Sequence, residues 1–232
     1  MTLESQLPLS FEHRPSLSGE DFIIAPCNAE AMQWIDQWPK WSGPILALSG
    51  PQGCGKSHLI SVFANKTKPQ VILPDKLETI LNMAINGQSN FVMDNAESVI
   101  NSQSEEIFFH LINVLQGSEG RLLMASRAPP ARWRIHLPDL ASRLRAIQVV
   151  AITRPDDKLV ASLLVKFFSD RQLRIDLDVI DYLVPRIDRS FDSIYEQVKY
   201  IDSRALMCKR KITIPFVREV LDEKSHKVYV KK

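Results

Sequence analysis

Residues 50–57 read Gly50-Pro51-Gln52-Gly53-Cys54-Gly55-Lys56-Ser57. They follow the apolar run Pro44-Ile45-Leu46-Ala47-Leu48 and precede a segment with Leu59, Ile60, Val62 and Phe63 on one helical face. A G-x-x-x-x-G-K-[ST] octapeptide in that setting demands a buried strand, a tight loop and a helix that starts on the loop's last residues. The residue types suit one task. Glycines let backbone N–H groups turn inward around phosphate oxygens. Lys56 adds positive charge at the β- and γ-phosphates, Ser57 offers a hydroxyl to Mg²⁺, and the helix N-terminus supplies a positive dipole end. His58, on the first helical turn, is counted with the loop. The expected ligand is a nucleotide, ADP or ATP, with Mg²⁺.

Such a unit folds only as part of a larger alternation, and the chain supplies one. Val71-Ile72-Leu73, Asn90-Phe91-Val92-Met93, Arg121-Leu122-Leu123-Met124-Ala125 and Gln148-Val149-Val150-Ala151 read as further strands. Helical spacing is expected after Asn28, a candidate N-cap, and over residues 76–85, 105–116 and 138–145. Short continuous apolar strands alternating with amphipathic helices imply a parallel sheet covered on both faces. After Thr153-Arg154-Pro155 the strands stop. Residues 156–171, 178–186, 191–207 and 215–223 read as helices, with Asp156 and Asp178 as candidate N-caps and Pro215 as a first-turn proline. The expected organisation is a tail over 1–20, an α/β nucleotide-binding domain over 21–153 and a small all-helical domain over 154–232.

Composition excludes several other classes. The chain has 232 residues, 45% hydrophobic and 24% charged, with a net charge of +2. It is neither disordered nor collagenous, and its charge gives no global attraction to nucleic acid or an anionic membrane. Cys27, Cys54 and Cys208 have no disulfide or metal-ligand spacing. No apolar run approaches the ~18 residues that span a bilayer, and the N-terminus lacks a secretory pattern. A cytoplasmic protein without membrane contact is expected.

Three further features carry chemistry. Asp94 ends an apolar strand, where the Mg²⁺-associated acid of phosphate-loop enzymes stands. Asn95 follows it, where many such enzymes place a second acid to orient water; an amide is no general base. Glu97 is the nearest substitute. Weak intrinsic hydrolysis is therefore expected. Residues 121–145 hold Arg121, Arg127, Arg132, Arg134, Arg143 and Arg145 against the single acid Asp139. This is either a solvated basic face or the source of an arginine that acts on a phosphate of another subunit. Finally, Gln6-Leu7-Pro8-Leu9-Ser10-Phe11 places apolar residues at alternate positions behind an amide, a pattern that can dock as an extended peptide.

Four segments together resemble AAA+ proteins of the DnaA family: Gly50–Ser57, Phe91–Glu97 (FVMDNAE), Leu137–Leu144 (LPDLASRL) and Lys211–Leu221 (KITIPFVREVL). The resemblance runs over roughly the whole chain. It implies a five-stranded parallel sheet with nucleotide at the strand C-termini and a small helical lid. It also selects Arg143, in LPDLASRL, as a finger acting in trans. The segment Gln6–Phe11 is similar to the peptide by which bacterial replication proteins bind the sliding clamp, the β subunit of DNA polymerase. Gln6 would fill a polar subsite, and Leu7, Leu9 and Phe11 the apolar contacts. The implied function is negative regulation of replication initiation: the protein rides on the clamp and stimulates hydrolysis of DnaA-bound ATP.

The chain ends at Lys232, shortly after the last expected helix. No room is left for the DNA-reading helix-turn-helix domain of DnaA, so sequence-specific DNA binding is not expected. Head-to-tail contact and a symmetric homodimer are the two assemblies open to it. Two positions depart from the family. Ser126-Arg127 stands where relatives often carry an acid near the nucleotide, and Asp192 stands where lids carry a phosphate-contacting arginine. Arg189 is the nearest replacement. These departures point to ADP over ATP, or to weak binding. The competing reading is a stand-alone AAA+ ATPase, a helicase loader or remodeller. A small-molecule kinase and a clamp-tethered paralogue with another target are further alternatives.

Overall fold

The computed structural model describes residues 13–14, 22–100 and 104–229. The candidate clamp-binding residues Gln6, Leu7, Leu9 and Phe11 lie outside these. Two compact units divide between Arg154 and Pro155.

The first unit is built on a five-stranded, fully parallel sheet. Its strands are β3 (Ile45–Ser49), β4 (Gln70–Val71), β5 (Asn90–Met93), β6 (Arg121–Ser126) and β7 (Gln148–Ala151), in the spatial order β4-β5-β6-β3-β7. A two-residue antiparallel pair, β1 (His13–Arg14) with β2 (Phe22–Ile23), precedes them. Successive strand residues point to opposite faces, so each apolar run feeds two cores. Ile45, Ala47, Phe91, Met93, Leu122 and Met124 pack with α3 (Leu77–Ile85), α5 (Glu105–Gln116) and α6 (Pro138–Ala146) on one face. Leu46, Leu48, Val92, Leu123, Ala125 and Val150 pack with α1 (Ala29–Asp36) and α2 (Lys56–Thr67) on the other. That two-sided burial is why these strands read as continuous apolar runs rather than alternating ones. Trp41 stacks on Phe63 with ring centroids 5.6 Å apart inside the second core.

The second unit contains α7 (Asp157–Asp170), α8 (Leu177–Leu183), α9 (Phe191–Cys208) and α10 (Ile214–Tyr229). Leu159, Leu163, Phe167, Ile180, Ile194, Val198, Ile201 and Val217 are among its buried residues. Asp156 caps α7 by accepting the Leu159 N–H at 2.8 Å, and Ser190 caps α9 by accepting the Ser193 N–H at 3.1 Å.

The expected fold class is the observed one: a parallel five-stranded sheet followed by a small all-helical unit. Several local expectations need correction. Asn28 sits at the N-cap of α1 but does not cap it. Its Oδ1 accepts the Ala25 N–H and its Nδ2 donates to the Ile23 carbonyl, closing the turn that enters the helix. Asp178 lies inside the first turn of α8, and Asp176 holds the N-cap position. The helix expected over 178–186 stops at Leu183 and continues as a 3₁₀ turn over Val184–Arg186, because Pro185 has no N–H for the α ladder. The strand at 71–73 shortens to Gln70–Val71, an exposed sheet edge.

Candidate functional site

β3 lies between β6 and β7, and the chain leaves it directly into the loop. Gly50 donates its N–H to Ser126 O at 3.2 Å, and Ile152 donates to Ser49 O at 2.7 Å. Both neighbouring strands thus flank the loop's first residue. A Cβ at Gly50 would stand 2.3 Å from Ile152 O, so no other residue fits there. Gly53 and Gly55 have φ of 73° and 97°, the left-handed region that glycine occupies without penalty. These turns bring the loop's backbone round to the start of α2 at Lys56.

The loop's charged and polar groups converge. Lys56 Nζ donates to the carbonyls of Gly50 and Pro51, each at 2.8 Å. Its ammonium is thereby held over the loop's first turn. Cys54 is fully buried beneath it, with Sγ 3.7 Å from Nζ. Burial pushes the Cys54 thiol pKa up, and the Lys56 charge opposes this only in part, so the thiol stays protonated and unreactive at neutral pH. Ser57 Oγ donates to Asp94 Oδ2 at 2.6 Å. Asp94 is presented by β5, two strands from the loop strand, just past Met93, which pairs with Met124. Its other oxygen accepts the Asn95 N–H at 2.7 Å. A hydroxyl and a carboxylate side by side, both open to solvent, are a donor set that a hard divalent cation takes along with phosphate oxygens and water.

Asn95 has φ 49° and ψ 44° at the N-cap of α4 (Ala96–Val99). Asparagine tolerates this left-handed backbone better than most residues. Its side chain is turned away from Asp94 and donates to Ser98 Oγ at 2.7 Å. Glu97 Oε2 accepts the Ala128 N–H at 3.4 Å. Arg127, just past β6, donates from Nη2 to Gln52 Oε1 at 3.3 Å, which puts its guanidinium beside the loop. His58 is partly buried on the first turn of α2.

Arg143 is placed far from these groups. α6 returns the chain from the C-terminal ends of the strands to the start of β7, and Arg143 is near its end. A cleft of about 670 Å³ there is lined by Pro44, Asp139, Ser142, Arg143 and Gln148, among others. Pro44 precedes β3, whereas the loop follows it. The guanidinium of Arg143 donates to Gln116 Oε1 and lies 5.4 Å from the Phe109 ring centroid. The guanidinium groups of Arg132, Arg134 and Arg145 are exposed and make no such contact with described residues.

In the second unit, Asp192 is exposed in the first turn of α9. Arg189 is not on that helix; it precedes the Ser190 cap, and its Nη2 lies 2.7 Å from Asp157 Oδ1. Glu105, one residue of this first unit that sequence reasoning missed, is buried at 4% exposure beside the start of α6. Among the described residues, no helix is long and apolar enough to cross a membrane.

Comparison with known proteins agrees with this architecture. Residues 156–221 match the family model described as the lid domain of Hda. An uncharacterized protein of Haemophilus influenzae is 26% identical over 189 residues, 77% of this chain and 82% of that protein. Domain III of Thermotoga maritima DnaA superposes with a TM-score of 0.71 at 16% identity, covering 87% of this chain and 94% of that one. AMPPCP-bound DnaA from Aquifex aeolicus gives a TM-score of 0.69 at 20% identity, covering 94% and 70%. The Thermotoga maritima RuvB branch-migration motor gives 0.68 at 13%, covering 90% and 72%. The chain thus joins a core with the fold of DnaA domain III to a helical segment that matches the Hda lid model.

Proposed function

We propose that the chain is a negative regulator of replication initiation that binds nucleotide at Gly50–Ser57 and drives hydrolysis of ATP held by DnaA. The observation that carries this reading is the placement of Arg143. The five residues of β3, about 17 Å of strand, separate the start of the phosphate loop from the end of the unit where Arg143 stands. A guanidinium held there is remote from its own loop and is available to a phosphate on a neighbouring subunit. Positive charge delivered to the γ-phosphate of a loose transition state can raise the rate ~10³–10⁵-fold.

The chain's own site is built for binding. The loop amides and Lys56 would hold phosphate oxygens, and Ser57 and Asp94 would hold Mg²⁺, which would supply positive charge to the bound phosphates. Asn95 is no base, and Glu97 is turned to the Ala128 amide, so intrinsic turnover is slow. Asp192 stands where the family resemblance puts a phosphate-contacting arginine, and Arg189 is paired with Asp157. ADP is therefore bound in preference to ATP; calorimetry with each nucleotide tests this, and tight ATP binding with much weaker ADP binding contradicts it.

Partner choice follows from the tail. Gln6, Leu7, Leu9 and Phe11 dock on the sliding clamp, which concentrates the regulator where synthesis has begun. The test is hydrolysis of DnaA-bound ATP with clamp loaded on DNA. Wild type accelerates it, and Arg143→Ala and a Gln6/Phe11 double-alanine variant do not. Clamp binding without any acceleration by wild type means that another protein is the target.

A further inference from the structure

α5 touches the segment that carries Arg143 at three points. At its first residue, Glu105 Oε2 accepts the Leu137 N–H at 2.7 Å and the His136 N–H at 2.9 Å. Glu105 Oε1 lies 3.1 Å from both the His136 N and His136 Nδ1. Leu137 is the N-cap residue of α6, and no side-chain oxygen caps that helix. The buried carboxylate therefore anchors the entry to α6 from the side, at the helix's positive end. One turn along α5, the Phe109 ring lies against the Arg143 guanidinium, and at the last residue Gln116 accepts its hydrogen bond. Glu105, Phe109 and Gln116 are spaced four and seven residues apart, so they share one helical face.

We propose that Glu105, Phe109 and Gln116 are positioning residues that set the direction of Arg143 before any partner arrives. The proposal rests on the trans-acting reading of Arg143. Arginine is long and rotamer-rich, and catalysis needs its guanidinium within a narrow geometry. Here the helix start is pinned by the Glu105 carboxylate, the guanidinium carbon lies over the Phe109 ring, and one N–H is committed to an amide oxygen. Arg132, Arg134 and Arg145 carry the same charge, and their guanidinium groups are left without such support among the described residues. What distinguishes Arg143 within the basic segment is this organisation.

The full-length protein is assayed for stimulated hydrolysis of DnaA-bound ATP on clamp-loaded DNA, over a range of protein concentrations. Gln116→Leu is the primary variant, because Gln116 is exposed at a helix end and its loss does not threaten folding. Its maximal stimulated rate is expected to fall ~10-fold, as misplaced catalytic groups do, at an unchanged half-saturating concentration. Gln116→Glu, which keeps an acceptor at the same reach, retains most of the rate. Glu105→Gln falls as Gln116→Leu does, with unaltered nucleotide affinity, since the Glu105 carboxylate bonds His136 and Leu137 and not the loop. A rate loss that comes with weaker nucleotide binding marks a merely structural defect and overturns the positioning role. Wild-type rates for Gln116→Leu and Glu105→Gln beside an inactive Arg143→Ala overturn the positioning role and leave the finger standing. Equal losses in Gln116→Leu and Gln116→Glu overturn it also. Full stimulation by Arg143→Ala removes the finger reading itself, a different and recognisable result.

Discussion

Lys56 bonds to two carbonyls of its own loop, at Gly50 and Pro51. A bound phosphate replaces those neutral acceptors with charged ones, and charge-assisted hydrogen bonds contribute ~1.5–3 kcal/mol. Lys56→Ala is therefore expected to weaken nucleotide binding ~10–100-fold by calorimetry, with little change in melting temperature. Glu105 gives a second expectation at this scale. Burial pushes its pKa up, but the Leu137 and His136 N–H bonds and the His136 ring outweigh burial, and the net shift is downward from 4.5. A depressed carboxyl pKa stabilises the fold fully above the unfolded value and loses that contribution as pH falls through the folded value. The melting-temperature gap between wild type and Glu105→Gln should thus stand at pH 4.5 and above and close as pH falls further. A gap that persists undiminished once Glu105 is protonated contradicts this. The loop residues were legible because the octapeptide fixes their chemistry. Glu105 was not: Glu105-Glu106 at a helix start reads as an ordinary solvated pair, and its partners lie more than 30 residues away.

The same contrast holds for elements. Helices α3, α5, α6, α7 and α9 and strands β3, β5, β6 and β7 were legible from apolar period and run length, because each buries enough surface to print its pattern. β4 was overestimated, since an exposed edge strand of two residues ends where its neighbour's pairing ends. α4 was missed, because four residues are too few to show a period. Caps were legible where the side chain does the capping. Asp156 was anticipated and caps α7; Asn28 was anticipated and serves the preceding turn instead. Asp156→Ala should cost ~1 kcal/mol, read as faster hydrogen exchange in the first turn of α7. Gly50→Ala is more severe at the element scale. Its Cβ would meet the Ile152 carbonyl at 2.3 Å, so the ends of β3 and β7 must part. A loss of ~2–3 kcal/mol in stability is expected, together with loss of nucleotide binding; unchanged denaturation by urea contradicts it.

At the scale of the molecule, the first unit carries two organised sites at opposite ends of one parallel sheet. The loop end gathers Lys56, Ser57, Asp94 and Arg127, and the proposed nucleotide site is there. The other end holds Arg143 on Phe109 and Gln116. A single copy cannot bring the two together, so the account makes the protein an activator of another subunit rather than an efficient ATPase by itself. Head-to-tail contact, loop against Arg143, is the assembly this polarity favours. The most direct measurement is single-turnover hydrolysis of labelled ATP preloaded on DnaA, with clamp on DNA and saturating wild type or Arg143→Ala. The account predicts a rate at least ~10³-fold higher with wild type than with the variant, at equal nucleotide content of the two proteins. Equal rates for the two contradict it.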